Sequence, residues 1–67
     1  MKKYSIYDTH TSRQARNLFE DSIADTVRPW FADIESAEVQ DAVNALRHPM
    51  KRWQAARYLG IELVPCA

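Results

Sequence analysis

The segment from Pro49 to Ile61, Pro-Met-Lys-Arg-Trp-Gln-Ala-Ala-Arg-Tyr-Leu-Gly-Ile, constrains the fold of this chain more than any other. Proline is tolerated in the first turn of a helix, where its missing N–H would find no partner anyway. Most of the residues behind Pro49 are good helix formers. Gly60 is the only glycine in the chain. It stands where a left-handed residue closes a helix, and Ile61 supplies the apolar contact that such a cap favours. The segment predicts a helix over 49–59. Met50, Trp53, Ala56 and Leu59 recur at threes and read as its apolar stripe, with Trp53 as a core anchor. Arg52 and Arg57 flank that stripe, stems on the core and heads in water.

Ala55-Ala56-Arg57-Tyr58-Leu59-Gly60-Ile61 resembles the first helix and turn of the helix-turn-helix in Fis-type DNA-binding proteins. In such motifs a second helix follows and enters the major groove. Here six residues follow Ile61, including Pro65 and no base, so the resemblance does not bring the DNA-reading role with it.

Upstream, Lys3 to Tyr7 alternates polar and apolar residues, and residues 1–11 read as an extended arm. Thr11 with Gln14 fits a capping box opening a first helix over 12–28. Ala15, Leu18, Phe19, Ile23 and Val27 share one face of that helix, and Pro29 ends it. Trp30 and Phe31 follow, placed either over the core or as an exposed anchor. A second helix over 36–48, capped by Asp33 or Ser36, carries Val39, Ala42, Val43 and Leu46 on a narrow stripe. His48-Pro49 turns the corner. Residues 61–67 read as a tail, of which Ile61 to Val64 alternates weakly and suits a two-strand ribbon with Tyr4 to Tyr7. The predicted architecture is therefore an all-α three-helix bundle, with a short ribbon formed by the termini as an addition.

At 67 residues such a chain makes one domain with a marginal core. Its 46% hydrophobic residues suit a globular fold. One cysteine excludes an internal disulfide and points to a reducing, cytoplasmic compartment. No apolar run is long enough for a membrane span. His10, His48 and Cys66 show no metal-ligand spacing, and a Cys66–His48 pair would sit on a tail beside a proline. Neither a catalytic constellation nor a cofactor motif is recognisable, so a non-enzyme is expected.

The remaining signal is charge segregation. Nine acids balance nine bases overall. Yet Glu20, Asp21, Asp25, Asp33, Glu35, Glu38 and Asp41 face only Arg28 within 20–41, whereas Arg47, Lys51, Arg52 and Arg57 have no acid among them in 42–60. Two functional expectations follow. The first is a small protein-binding module, in the manner of phage- or mobile-element inhibitors and regulators. It would dock Glu20, Asp21, Asp25, Glu35, Glu38 and Asp41, with Trp30 and Phe31 as anchors, on a larger nucleic-acid-handling protein. The second is a helical DNA-binding regulator using Arg47, Lys51, Arg52 and Arg57. A homodimer is compatible with both.

Overall fold

The cluster Asp8-Thr9-His10-Thr11-Ser12 opens no helix. It is the turn of a β-hairpin. In the structure, a computed structural model that describes residues 2–66, the Asp8 N–H donates to the Arg13 carbonyl at 2.7 Å. The Ser12 N–H returns to the Asp8 carbonyl at 2.9 Å, and Ser12 takes a left-handed φ of 60°. The Asp8 carboxylate accepts the His10 N–H at 2.9 Å, the local bond by which aspartate makes turns. The hairpin joins β1 (Lys3–Asp8) to β2 (Gln14–Phe19).

This overturns the all-α expectation: the first part of the helix read over 12–28, Gln14–Phe19, is an antiparallel strand. The misleading signal has a physical origin. Ala15 and Leu18, three apart, share a face in a helix and lie on opposite faces of a regular strand. In β2 a bulge brings them back to one face. Tyr4 pairs with Leu18 and Ile6 with Ala15, so Arg16 and Asn17 together oppose Ser5. Asn17 makes the bulge at φ 59°, a conformation that asparagine tolerates better than most residues. The sequence thus shows the spacing of a helix while the backbone makes a sheet.

After β2 the chain continues through a 3-10 turn, Glu20–Ser22, into a short α1 (Ile23–Val27). A second 3-10 turn, Arg28–Phe31, carries Pro29 in its first turn. The second and third predicted helices exist but are shorter than the sequence suggests. α2 spans Ala37–Ala45, and Ser36 caps it, its hydroxyl accepting the Val39 N–H at 3.4 Å. α3 spans Arg52–Leu59. Between them His48-Pro49 holds the chain in a series of turns rather than in either helix. Gly60 closes α3 at φ 75° as expected. A β-carbon there would also lie 3.0 Å from the His10 ring.

The tail is a strand. β3 (Ile61–Pro65) pairs antiparallel with β1, Tyr4 against Pro65 through Asp8 against Ile61, giving a sheet of order β2-β1-β3. The ribbon between the termini is therefore present, and the hairpin extends it to three strands. The Cys66 N–H continues the ladder to the Lys3 carbonyl at 2.8 Å. This fixes the alternation, so the nitrogen of Pro65 lies on the free edge of β3, where no ladder bond is lost. Ala67, the end of the predicted tail, lies outside the described residues.

The helices cover one face of the sheet. Ile6 on the central strand is fully buried, beneath Ile23, Ala24 and Val27 of α1 and Val43 and Leu46 at the end of α2. Ala55, Ala56 and Leu59 of α3 and Ile61 and Leu63 of β3 complete the core. Tyr4 closes it at one end.

Candidate functional site

Arg52 sets the rotation of α3. It stands in the first turn of the helix and is only 2% exposed. Its Nε donates to the Leu46 carbonyl at 2.8 Å, satisfying an acceptor that the end of α2 leaves without a helical partner. Its guanidinium lies 5.4 Å from the centre of the Tyr4 ring, and one terminal nitrogen stands 3.8 Å from the Glu20 carboxylate. Arg52, Ala55, Ala56 and Leu59 therefore form the inward face. The sequence places Arg52 on the rim and offers it as a nucleic-acid contact. The structure buries it, and no ligand can reach it.

With that rotation set, the large side chains of α3 turn outward. Trp53 is 49% exposed, Tyr58 57% and the preceding Met50 92%. The expected core stripe of Met50, Trp53, Ala56 and Leu59 is thus split, its first two members outside and its last two inside. Trp53 borders the sheet, its ring set edge-on to Tyr4 at 6.2 Å. Tyr58 borders α2 and donates its hydroxyl to the Glu38 carboxylate at 3.3 Å. Between them lie the exposed Gln54 and Arg57, and Lys51 is exposed at the helix start. Arg47 is exposed in the corner before α3. The ion pairs among the described residues are Asp25–Arg28 and Glu20–Arg52, so Arg47, Lys51 and Arg57 take part in neither.

The predicted acidic site is dispersed. Glu20 is turned toward Arg52 and half-buried. Asp25 binds Arg28 at 2.7 Å, and Arg28 reaches Asn44 at 2.9 Å, tying α1 to α2. Asp21 is exposed in the first 3-10 turn, Asp33 and Glu35 in the loop before α2, and Asp41 on α2. Trp30 and Phe31 are partly buried against the core, so neither projects as an anchor. Gln40 holds that turn by donating to the carbonyls of Phe31 and Ile34. The aromatic side chains that α3 exposes are Trp53 and Tyr58.

Other chemistry is sparse. No group of three or more potential metal ligands occurs among the described residues. Cys66 Sγ lies 3.4 Å from the Ser5 hydroxyl, on the sheet, while His48 belongs to the corner between α2 and α3. Asp8, 4% exposed, has a carboxyl held below the usual carboxylate pKa. Burial alone would raise its pKa. The His10 N–H, the N–H and hydroxyl of Thr11, and the charge of His10 outweigh this and bring it down. It braces the hairpin turn. An open depression of about 270 Å3 is lined by Lys2, Phe19, Glu20 and Asp21. No helix among the described residues is long and apolar enough to cross a membrane.

No family model, curated protein or solved structure matches the chain closely enough to indicate a relationship.

Proposed function

We propose that this protein is a small non-catalytic protein-binding module and that its contact surface is the outer face of α3. One observation carries the reading. The chain turns Trp53 and Tyr58 of α3, and Met50 in the turn before it, into water and fills the inner face of the helix with two alanines, a leucine and an arginine. The exposed parts of these three side chains amount to roughly 400 Å2, interrupted by the exposed Gln54 and Arg57. Tryptophan and tyrosine are the residues that most often dominate binding energy at interfaces. Lys51 and Arg57 lie among them and favour a partner surface that is apolar at its centre and acidic at its border. The acidic belt as a whole supports docking less well, because Glu20 and Asp25 are already ion-paired within the chain.

The same aromatic and basic residues suit base stacking and phosphate contact, but Glu38 and Asp41 stand exposed on the adjoining helix and would repel a phosphate chain. The test is quantitative capture from lysate, untreated and nuclease-treated, by the tagged protein, by Trp53→Glu and by the doubly neutralised Asp33→Asn/Glu35→Gln. The expected result is a protein bound by the native and neutralised forms and lost with Trp53→Glu. Capture that survives Trp53→Glu and disappears with the neutralised acids would return the function to the acidic surface. Capture that disappears with nuclease would make the face a nucleic-acid site.

A further inference from the structure

We infer that the α2–α3 face binds a second copy of this chain, about a two-fold axis parallel to the two helices and lying between them. The inference rests on the outer face of α3 being a protein contact, and names its partner.

The two helices are antiparallel neighbours: Glu38, in the first turn of α2, meets Tyr58, in the last turn of α3. Their common outer surface is divided lengthwise. The α2 side presents the acids Glu38 and Asp41, whereas the α3 side presents Lys51, Gln54 and Arg57 between Trp53 and Tyr58. No acid occurs from Ala42 to Ile61. A rotation of 180° about an axis running along the seam lays α2 of one copy over α3 of the other without changing level along the axis. Glu38 and Asp41 of each copy then stand opposite Arg57 of its partner, twice over. Facing helices are antiparallel in this arrangement, which sets their dipoles favourably. The surface is thus self-complementary, as a two-fold contact demands.

Charge favours this occupant over others. The chain carries no net charge, so two copies do not repel one another at a distance. A polyanion satisfies only the α3 side and is repelled by the α2 side. A second copy satisfies both and covers Met50, Trp53 and Tyr58 as well. A standard interface takes about 800 Å2 from each partner, and this chain exposes 4714 Å2 in all. The face of two helices nine and eight residues long falls short of that, so a weak, reversible dimer is expected.

The test is sedimentation equilibrium from about 1 μM to 1 mM, on the native protein, on Arg57→Glu, on Glu38→Arg and on an equimolar mixture of the two variants. All the altered residues are exposed, so circular dichroism should show the native fold throughout. The native chain should dimerise. Each variant alone should weaken the dimer at least about tenfold, since it sets like charges face to face. The mixture should recover it, because positions 38 and 57 are both acidic in one variant and both basic in the other, so opposite charges meet again. A native protein that stays monomeric throughout overturns the inference, as does a dimer indifferent to both reversals or a mixture without recovery. A monomer that still captures a nuclease-resistant partner through Trp53 refutes only the second copy and leaves the binding module standing. A monomer that captures nothing refutes both.

Discussion

Replacing Arg52 by methionine should destabilise the domain by about 1–3 kcal/mol, chiefly because the Leu46 carbonyl loses its donor. Three contacts of the arginine compete for the larger share. The ion pair with Glu20 is long, at 3.8 Å, and the carboxylate side chain is 44% exposed, so solvent screens it to a fraction of a kilocalorie. The Tyr4 contact at 5.4 Å adds about 0.5–1 kcal/mol. The hydrogen bond from the buried guanidinium to the Leu46 carbonyl, at 2.8 Å, is the strong one, since charged donors contribute about 1.5–3 kcal/mol. Against these stands the cost of holding a cation out of water, which methionine, of similar reach, relieves. Arg52→Ala should cost about 1–2 kcal/mol more than Arg52→Met through the lost packing of the stem. Glu20→Gln should cost less than about 0.5 kcal/mol.

Urea unfolding followed by far-ultraviolet circular dichroism measures all three, and a loss of 1 kcal/mol should lower Tm by about 4–8 °C in a chain of this size. A stable Arg52→Met, or a Glu20→Gln as damaging as Arg52→Met, would refute the reasoning. The first outcome would mean that desolvation outweighs the bond. The second would mean that the ion pair, not the carbonyl, positions the arginine.

Gly60→Ala should cost about 1–2 kcal/mol, because alanine resists φ 75° and its methyl would press on the His10 ring; His10→Ala in the same chain should return the steric part, read by thermal unfolding. Asn17→Val should cost more than Asn17→Ala, and Asn17→Gly little or nothing, since the bulge needs φ 59° and a β-branched side chain tolerates it least. The depressed native pKa of Asp8 makes its carboxylate stabilising above the unfolded value of about 3.9. That contribution should persist at neutral pH and disappear as pH falls through the native value. Asp8→Asn should therefore be less stable than the native chain at pH 7, by about 1 kcal/mol. The gap should close below about pH 4, and a gap constant from pH 7 to pH 3 would show that the charge plays no part.

What can be read from the sequence follows which signals act locally. Gly60 as a left-handed cap with Ile61 packed behind it, Ser36 as the cap of α2 and the ribbon between Tyr4–Tyr7 and Ile61–Val64 depend on nearby residues or on plain alternation, and the structure has them all. The strand Gln14–Phe19 is hidden because its bulge gives Ala15 and Leu18 the spacing of a helix. The left-handed Asn17 is the only local clue, and its φ is not written in the residue name. The turn at 8–13 reads as a helix cap because aspartate, threonine and serine bind backbone N–H groups in both settings.

The exposure of Trp53 escapes the sequence for a reason that can be worked out from helix geometry. Residues at steady intervals of three advance about 300° per step, so they drift back about 60° each time around a helix of 3.6 residues per turn. Over the two steps inside α3, from Trp53 to Leu59, the drift reaches about 120°, so the two ends of the helical part of the supposed stripe do not share a face. The half that is buried is decided by closeness of approach. Ala55 and Ala56 are small enough to seat α3 on the sheet, and the stem of Arg52 fills the space beside them while its head binds Leu46. Trp53 would have to displace that arrangement to enter. A search for the largest apolar residues therefore selects the wrong side of this helix. The side that packs is marked by small residues and one tethered arginine, and the tryptophan is left outside, available for contact.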